Sequence, residues 1–90
     1  TDELKQKAKD FLDQGNKKLV LDLGNVSYLN SSGIGAIVSI HTAYAKAAGK
    51  LKICGLDKGV KNVFVITSLT RVIDVEETRE DALKNFEVEA

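Results

Sequence analysis

The sequence predicts an α/β domain in which four amphipathic helices surround a parallel-dominated sheet. Three observations carry that prediction. Apolar residues recur at helical spacing in four separate stretches. Between them lie three short apolar runs, residues 18–23, 50–54 and 71–75, too brief for helices and rich in strand formers. The resulting order, α-β-α-β-α-β-α, implies right-handed crossovers and parallel strands. Ninety residues make one domain, residues 1–90, near the lower limit for a self-sufficient core. Three strands are few for four helices to cover, and Met is absent even at position 1. Further strands are therefore expected ahead of Thr1, leaving this domain N-terminally incomplete.

The first helix is expected from a cap at Thr1 or Asp2 to about Gln14, with Leu4, Ala8, Phe11 and Leu12 on one face. Gly15-Asn16 supplies a left-handed stop. Residues 18–23 then read as a strand whose near-continuous apolar character suggests burial on both faces. Gly24-Asn25 is turn chemistry, and residues 26–29 read as a loop. The second helix is expected from about Ser32 to Ala48, ending at Gly49. Its apolar stripe comprises Ile34, Ile37, Val38, Ala45 and Ala48, with His41 alongside. Gly33 and Gly35 in its first turns cost roughly 1 kcal/mol each relative to Ala. Close approach of another backbone or of a partner is the usual reason for such a cost.

Residues 50–54 form the second expected strand, broken by Gly55. Asp57 can cap a third helix that continues through Val60, Val63 and Phe64 to about Ser68. Residues 71–75, rich in β-branched side chains, read as the third strand. Thr78-Arg79-Glu80-Asp81 then opens the last helix in a capping-box-like arrangement with Asp in the final place. Ala82, Leu83 and Phe86 are expected to pack it.

Composition excludes several function classes. Thirteen basic and 13 acidic residues cancel to zero net charge, and no basic run beyond Lys17-Lys18 offers a nucleic-acid footprint. The lone Cys54 rules out an internal disulfide or a thiolate cluster within one chain. Its apolar surroundings point to a buried structural thiol. No apolar stretch approaches membrane-spanning length and nothing resembles a secretion signal, so no membrane partner and a cytoplasmic location are expected. One His and one Cys give no metal-site spacing, and no cofactor is expected.

The candidate chemistry concentrates at Ser31-Ser32-Gly33-Ile34-Gly35, where a strand-side loop becomes a helix N-terminus. Backbone N–H groups there lack intrahelical partners, and the helix dipole presents partial positive charge. A Ser/His/Asp triad of Ser31, His41 and Asp22 fails on distance. Ser31 and His41 stand ten residues apart on one helix, about 15 Å at 1.5 Å per residue. No catalytic residues are assigned. The glycines match neither a P-loop nor G-x-G-x-x-G. A hydroxyl at this point is either a helix cap, worth about 1 kcal/mol, or an acceptor left bare by its small neighbours. The residues alone leave both open.

A family resemblance bears on that choice. Lys18-Leu19-Val20-Leu21-Asp22-Leu23, followed by Val26-Ser27-Tyr28-Leu29-Asn30-Ser31-Ser32-Gly33-Ile34-Gly35, resembles STAS domains, and among them the bacterial anti-sigma factor antagonists. Their motif is Asp-Ser-Ser-Gly, an aliphatic residue and Gly, after a strand ending in Leu-Asp-Leu. The likeness continues through Gly49-Lys50-Leu51, Val60-Lys61-Asn62-Val63-Phe64 and Glu80-Asp81-Ala82-Leu83. Asn30 stands where the family usually has Asp.

The resemblance implies a STAS-like sheet whose first two strands precede residue 1. It also implies a partner-switching module. The first serine of the pair, Ser31, is then phosphorylated by an anti-sigma factor that is itself a serine kinase. The unphosphorylated form binds that factor through Asn30, Ser31, Ser32, Gly33 and Ile34, and a PP2C-type phosphatase restores it. The rival implication is a STAS scaffold that is never phosphorylated, as in a stressosome-like assembly or the cytoplasmic tail of an anion transporter. Binding of a nucleotide or small ligand at the same helix start is a third.

Overall fold

The computed structural model describes residues 2–89, with side chains through Phe86. Four helices, α1 (Asp2–Asp13), α2 (Ser31–Lys46), α3 (Lys58–Ile66) and α4 (Arg79–Glu89), alternate with strands β1 (Lys18–Asp22), β2 (Lys50–Cys54) and β3 (Asp74–Glu76). The strands form one parallel sheet in the order β1-β2-β3. The register of β2 on β3 pairs Lys52 with Asp74, Ile53 with Val75 and Cys54 with Glu76. The element order is the expected one. The chain divides into two compact units, Thr1–Leu19 with Leu29–Leu51, and Val20–Tyr28 with Lys52–Ala90.

In the first unit α1 packs on α2. The expected face of α1 holds in part: Ala8 is buried, Leu4 and Leu12 are half-buried, and Phe11 is exposed. A cap from Thr1 falls outside the described residues. Gly15, at φ 94°, ends the helix as its sequence suggests, and its N–H donates to the Leu12 carbonyl at 2.9 Å.

The apolar stripe expected on α2 is displaced. The buried residues are Gly33, Ala36, Ile37, Ile40 and Tyr44, while Val38, Ala45 and Ala48 are exposed and Ile34 and His41 half-buried. Tyr44 explains the shift. Its ring is fully buried and its hydroxyl donates to the Ala8 carbonyl at 2.7 Å, so an amphipathic side chain anchors the face from inside. The helix also stops earlier than expected, at Lys46. Ala48 rather than Gly49 takes the left-handed conformation, at φ 61°. At Gly49 the reason for glycine is steric instead, because a Cβ there would collide with the Lys17 carbonyl.

The second unit holds Val20–Asp22 of β1, Lys52–Cys54 of β2 and all of β3. β2 is buried from Leu51 to Cys54, as a central strand should be. β1 corrects the expectation of burial on both faces: Leu21 and Leu23 are buried, Val20 is half-buried and Asp22 is exposed. β1 is an edge strand among the described strands, paired on one side only, by β2. Lys52 is 1% exposed inside β2. Its ammonium pairs with Asp74 at 2.9 Å and lies 4.9 Å from the centre of the Phe86 ring, which compensates its burial.

Helix α3 begins at its expected cap, with Asp57 Oδ1 accepting the Val60 N–H at 2.8 Å. The third strand comes later than its β-branched residues imply. Ser68 adopts φ 62°, and Leu69–Arg71 form a single 3₁₀ turn in which the Val72 N–H donates to the Leu69 carbonyl. That turn consumes the backbone donors a strand from residue 71 would need. Helix α4 buries Ala82 and Phe86 but leaves Leu83 exposed, against expectation. Thr78 Oγ1 accepts the Asp81 N–H at 3.0 Å, the hydroxyl half of a capping box.

Candidate functional site

The route to the serines starts at the end of β1. Asp22 Oδ1 accepts the Gly24 N–H at 2.9 Å, and its Oδ2 accepts from Arg79 Nη2 at 2.9 Å and from Nε at 3.3 Å. The Gly24 amide and the Arg79 guanidinium hold the Asp22 carboxyl below the usual carboxylate range. Asp22 is thereby committed within its own unit and has no free role as the third member of a triad. The Val26 N–H closes the following turn on the Leu23 carbonyl at 3.0 Å. Tyr28, 77% exposed, ends this segment.

In the other unit, Asn30 settles which residue caps α2. Its backbone is extended, at φ −90° and ψ 179°, and its side-chain oxygen accepts the Gly33 N–H at 2.9 Å. The Ile34 N–H bonds the Asn30 carbonyl at 3.0 Å. The reading of a serine as the cap is therefore corrected: the helix starts at Ser31, not Ser32, and the cap lies one residue earlier. Ser31 and Ser32 are the first two helical residues. Both are exposed, and among the described residues neither hydroxyl is engaged in a hydrogen bond.

The five residues expected to form a docking surface sort by burial. Asn30, Ser31 and Ser32 are exposed, Ile34 is half-buried and Gly33 is buried. A Cβ on Gly33 would lie 2.7 Å from Leu29 Cδ1, so this glycine serves the packing of its own unit. Gly35, singled out with Gly33 for its cost inside a helix, is exposed with open space where a Cβ would stand. His41 is half-buried farther along α2.

The helix start carries no negative side chain: the cap is a neutral amide, and no acidic residue lies in the first turn. The partial positive charge of the N-terminus, equivalent to about half an elementary charge, is thus unanswered by its own turn. Chemically, the tip offers two unencumbered hydroxyls in a field that favours an added anion. Cys54 presents no comparable chemistry. Burial, then the Asp22 carboxylate, pushes its thiol up, away from the reactive thiolate.

The sequence profile of the STAS domain matches residues 1–82. The chain belongs to the STAS domain family. The STAS chain is 33% identical over 72 residues to the anti-sigma-B factor antagonist of Bacillus subtilis, an alignment covering 80% of this chain and 65% of that protein. It is 31% identical over 75 residues to BtrV of Bordetella bronchiseptica, provisionally named an anti-sigma factor antagonist, covering 83% of this chain and 65% of that one. The crystal structure of a Thermotoga maritima protein given the same provisional name superposes with a TM-score of 0.88 at 26% identity. That match covers 93% of this chain and 73% of the other. The STAS chain thus spans about two thirds of the length of the relatives it matches. Among the described residues, no helix is long and apolar enough to cross a membrane.

Proposed function

We propose that this STAS domain is a non-enzymatic anti-sigma factor antagonist whose partner choice is set by phosphorylation of Ser31. The observation that carries the reading is the division of labour at the start of α2. Asn30 performs the capping, so the Ser31 hydroxyl stands exposed and unused one residue later. The names of the relatives supply the biological direction: the Bacillus subtilis protein is an antagonist of an anti-sigma factor.

In the proposed cycle the unmodified tip, formed by Asn30, Ser31, Ser32 and Ile34 above the packed Gly33, docks on an anti-sigma factor that is also a serine kinase. The Ser31 oxygen attacks the γ-phosphorus of Mg-ATP. Its proton passes to a base of the kinase, the bond to the β-phosphate oxygen breaks, and ADP leaves. The product carries about −1.5 to −2 charges at the tip. The helix N-terminus tolerates that charge, gaining about 0.3–1 kcal/mol, whereas a docking surface shaped for a neutral hydroxyl is desolvated against it. Binding ends without refolding. A PP2C-type phosphatase, adding water to the phosphoserine to release inorganic phosphate, returns the antagonist to its binding form.

Incubation with the host's anti-sigma serine kinase and Mg-ATP, followed by intact-mass measurement, tests the assignment. One phosphate is expected on the parent and none on Ser31→Ala; a fully modified Ser31→Ala chain would refute it. Ser31→Asp is expected to weaken binding of the kinase at least tenfold while leaving the circular dichroism spectrum unchanged. If Ser31→Asp unfolds the chain, the serine serves the fold.

A further inference from the structure

The two glycines at the start of α2 have different reasons to be there. Gly33 is buried, and the place of its missing Cβ is taken by Leu29. Gly35 has no such occupant. It is exposed, nothing lies within 4 Å of where a Cβ would stand, and its backbone is ordinary helix. Alanine would fit and would strengthen the helix. Among the described residues, nothing packed around it therefore calls for glycine at this position.

Its place on the helix gives the reason. Residues 31 and 35 stand four apart, one above the other on a single face. Helical side chains lean toward the N-terminus, so a side chain at position 35 covers the turn before it. That turn carries the Ser31 hydroxyl, about 6 Å back along the axis at 1.5 Å per residue. Phosphoryl transfer demands that the reacting oxygen approach the γ-phosphorus to about 3–3.5 Å, which brings the walls of a catalytic cleft onto the acceptor's own backbone. A bulky residue at 35 would stand in that path.

Resting on the Ser31 phosphorylation proposed above, we infer that Gly35 is a specificity residue of the same surface. It keeps the acceptor hydroxyl uncovered, so that the catalytic cleft of an Mg-ATP-dependent serine kinase can close over the helix start. It acts by clearance and touches no reacting atom. The stability of the helix and its competence as a substrate consequently run in opposite directions at this residue.

The experiment compares the parent chain with Gly35→Ala, Gly35→Gln and Gly59→Ala. Gly59 lies on the exposed start of α3 with only ordinary contact near its Cβ position, at 3.7 Å from Asp57, and serves as the control. Thermal melts and the kcat/KM for phosphorylation by the host's anti-sigma serine kinase with Mg-ATP are read for each. Gly35→Ala should raise the melting midpoint by about 3–8 °C. The kcat/KM should fall severalfold for Gly35→Ala and tenfold or more for Gly35→Gln, with Gly59→Ala matching the parent. Phosphorylation of Gly35→Gln at the parental rate would overturn the clearance role while leaving the Ser31 assignment intact. A lowered midpoint in Gly35→Ala would overturn it too, by exposing a structural role. A parent chain that takes up no phosphate fails the Ser31 reading itself and removes this inference with it.

Discussion

Helices α2 and α3 begin with the same cap geometry and present opposite chemistry. Asn30 Oδ1 accepts from the Gly33 N–H at 2.9 Å, and Asp57 Oδ1 accepts from the Val60 N–H at 2.8 Å, each from an extended backbone. Yet the cap of α3 is a carboxylate followed by Lys58, whereas the cap of α2 is a neutral amide followed by two hydroxyls. Helices α1 and α4 carry Asp2 with Glu3 and Glu80 with Asp81 in their first turns. Among the described residues, α2 is the one helix start with a carboxylate neither in its cap nor in its first turn. Three starts are electrostatically answered by their own sequence, and α2 is answerable from outside. The start of α4 completes the contrast, because there Thr78 spends its hydroxyl as the cap. Ser31 carries the same functional group one position later and is released from that duty.

The largest expected effect comes from deleting the two caps. Asp57→Ala removes both a hydrogen bond and a charge, and should lower stability by about 1–2 kcal/mol. Asn30→Ala removes only the hydrogen bond and should cost about 0.5–1 kcal/mol. Urea unfolding with unchanged m-values would show the ranking. A greater loss at Asn30 would mean that the neutral cap does more than satisfy one N–H, and the contrast between the two starts would fail.

What was readable in advance follows the same division between local and distant causes. The cap at Asp57, the stop at Gly15, the span of β2 and the burial of Cys54 depend on neighbouring residues and were legible. The face of α2 was not, because Tyr44 is held by the carbonyl of Ala8, 36 residues earlier, and pattern alone counts a tyrosine as half-polar. β3 starts later than strand propensity implies, because a left-handed Ser68 and one 3₁₀ turn override that propensity. At the site, the motif located the serines, but only geometry assigned the capping to Asn30. Only geometry, likewise, separated a packed Gly33 from an open Gly35. The ion pair of Asp22 with Arg79, 57 residues apart, left no mark on spacing or composition.

A charge exchange sharpens the comparison at a smaller magnitude. Asn30→Asp places a carboxylate at the positive end of α2 and should raise stability by about 0.3–1 kcal/mol, while Asp57→Asn should lower it by a similar amount. Both changes should shrink in 1 M salt, where the Debye length is about 3 Å. Thermal melts at low and high salt read the pair. If Asn30→Asp gives no gain at low salt, the positive end of α2 is already compensated and does not favour an added phosphate.

The smallest effect distinguishes an amide proton held by a carboxylate from one held by a neutral amide. Asp22 accepts the Gly24 N–H, and that bond, followed by the Arg79 guanidinium, draws its carboxyl below the usual range. A group whose folded value is depressed stabilises the fold above its unfolded value, near 3.9 for Asp. It loses that contribution as pH falls through the lower folded value. The loss should therefore be absent between pH 7 and 5 and grow below about pH 4, and Asp22→Asn should flatten it. Because the ion pair is exposed and screened, the change in stability is slight, and amide proton shifts are the sharper readout. The Gly24 amide should titrate with a midpoint below 3.9, while the Gly33 amide, accepted by Asn30, should follow no carboxylate. A Gly24 midpoint at or above 3.9 would remove the Asp22 clamp. A Gly33 amide that titrates alongside it would show a carboxylate acting on the start of α2, which is the one condition under which the two helix starts cease to differ.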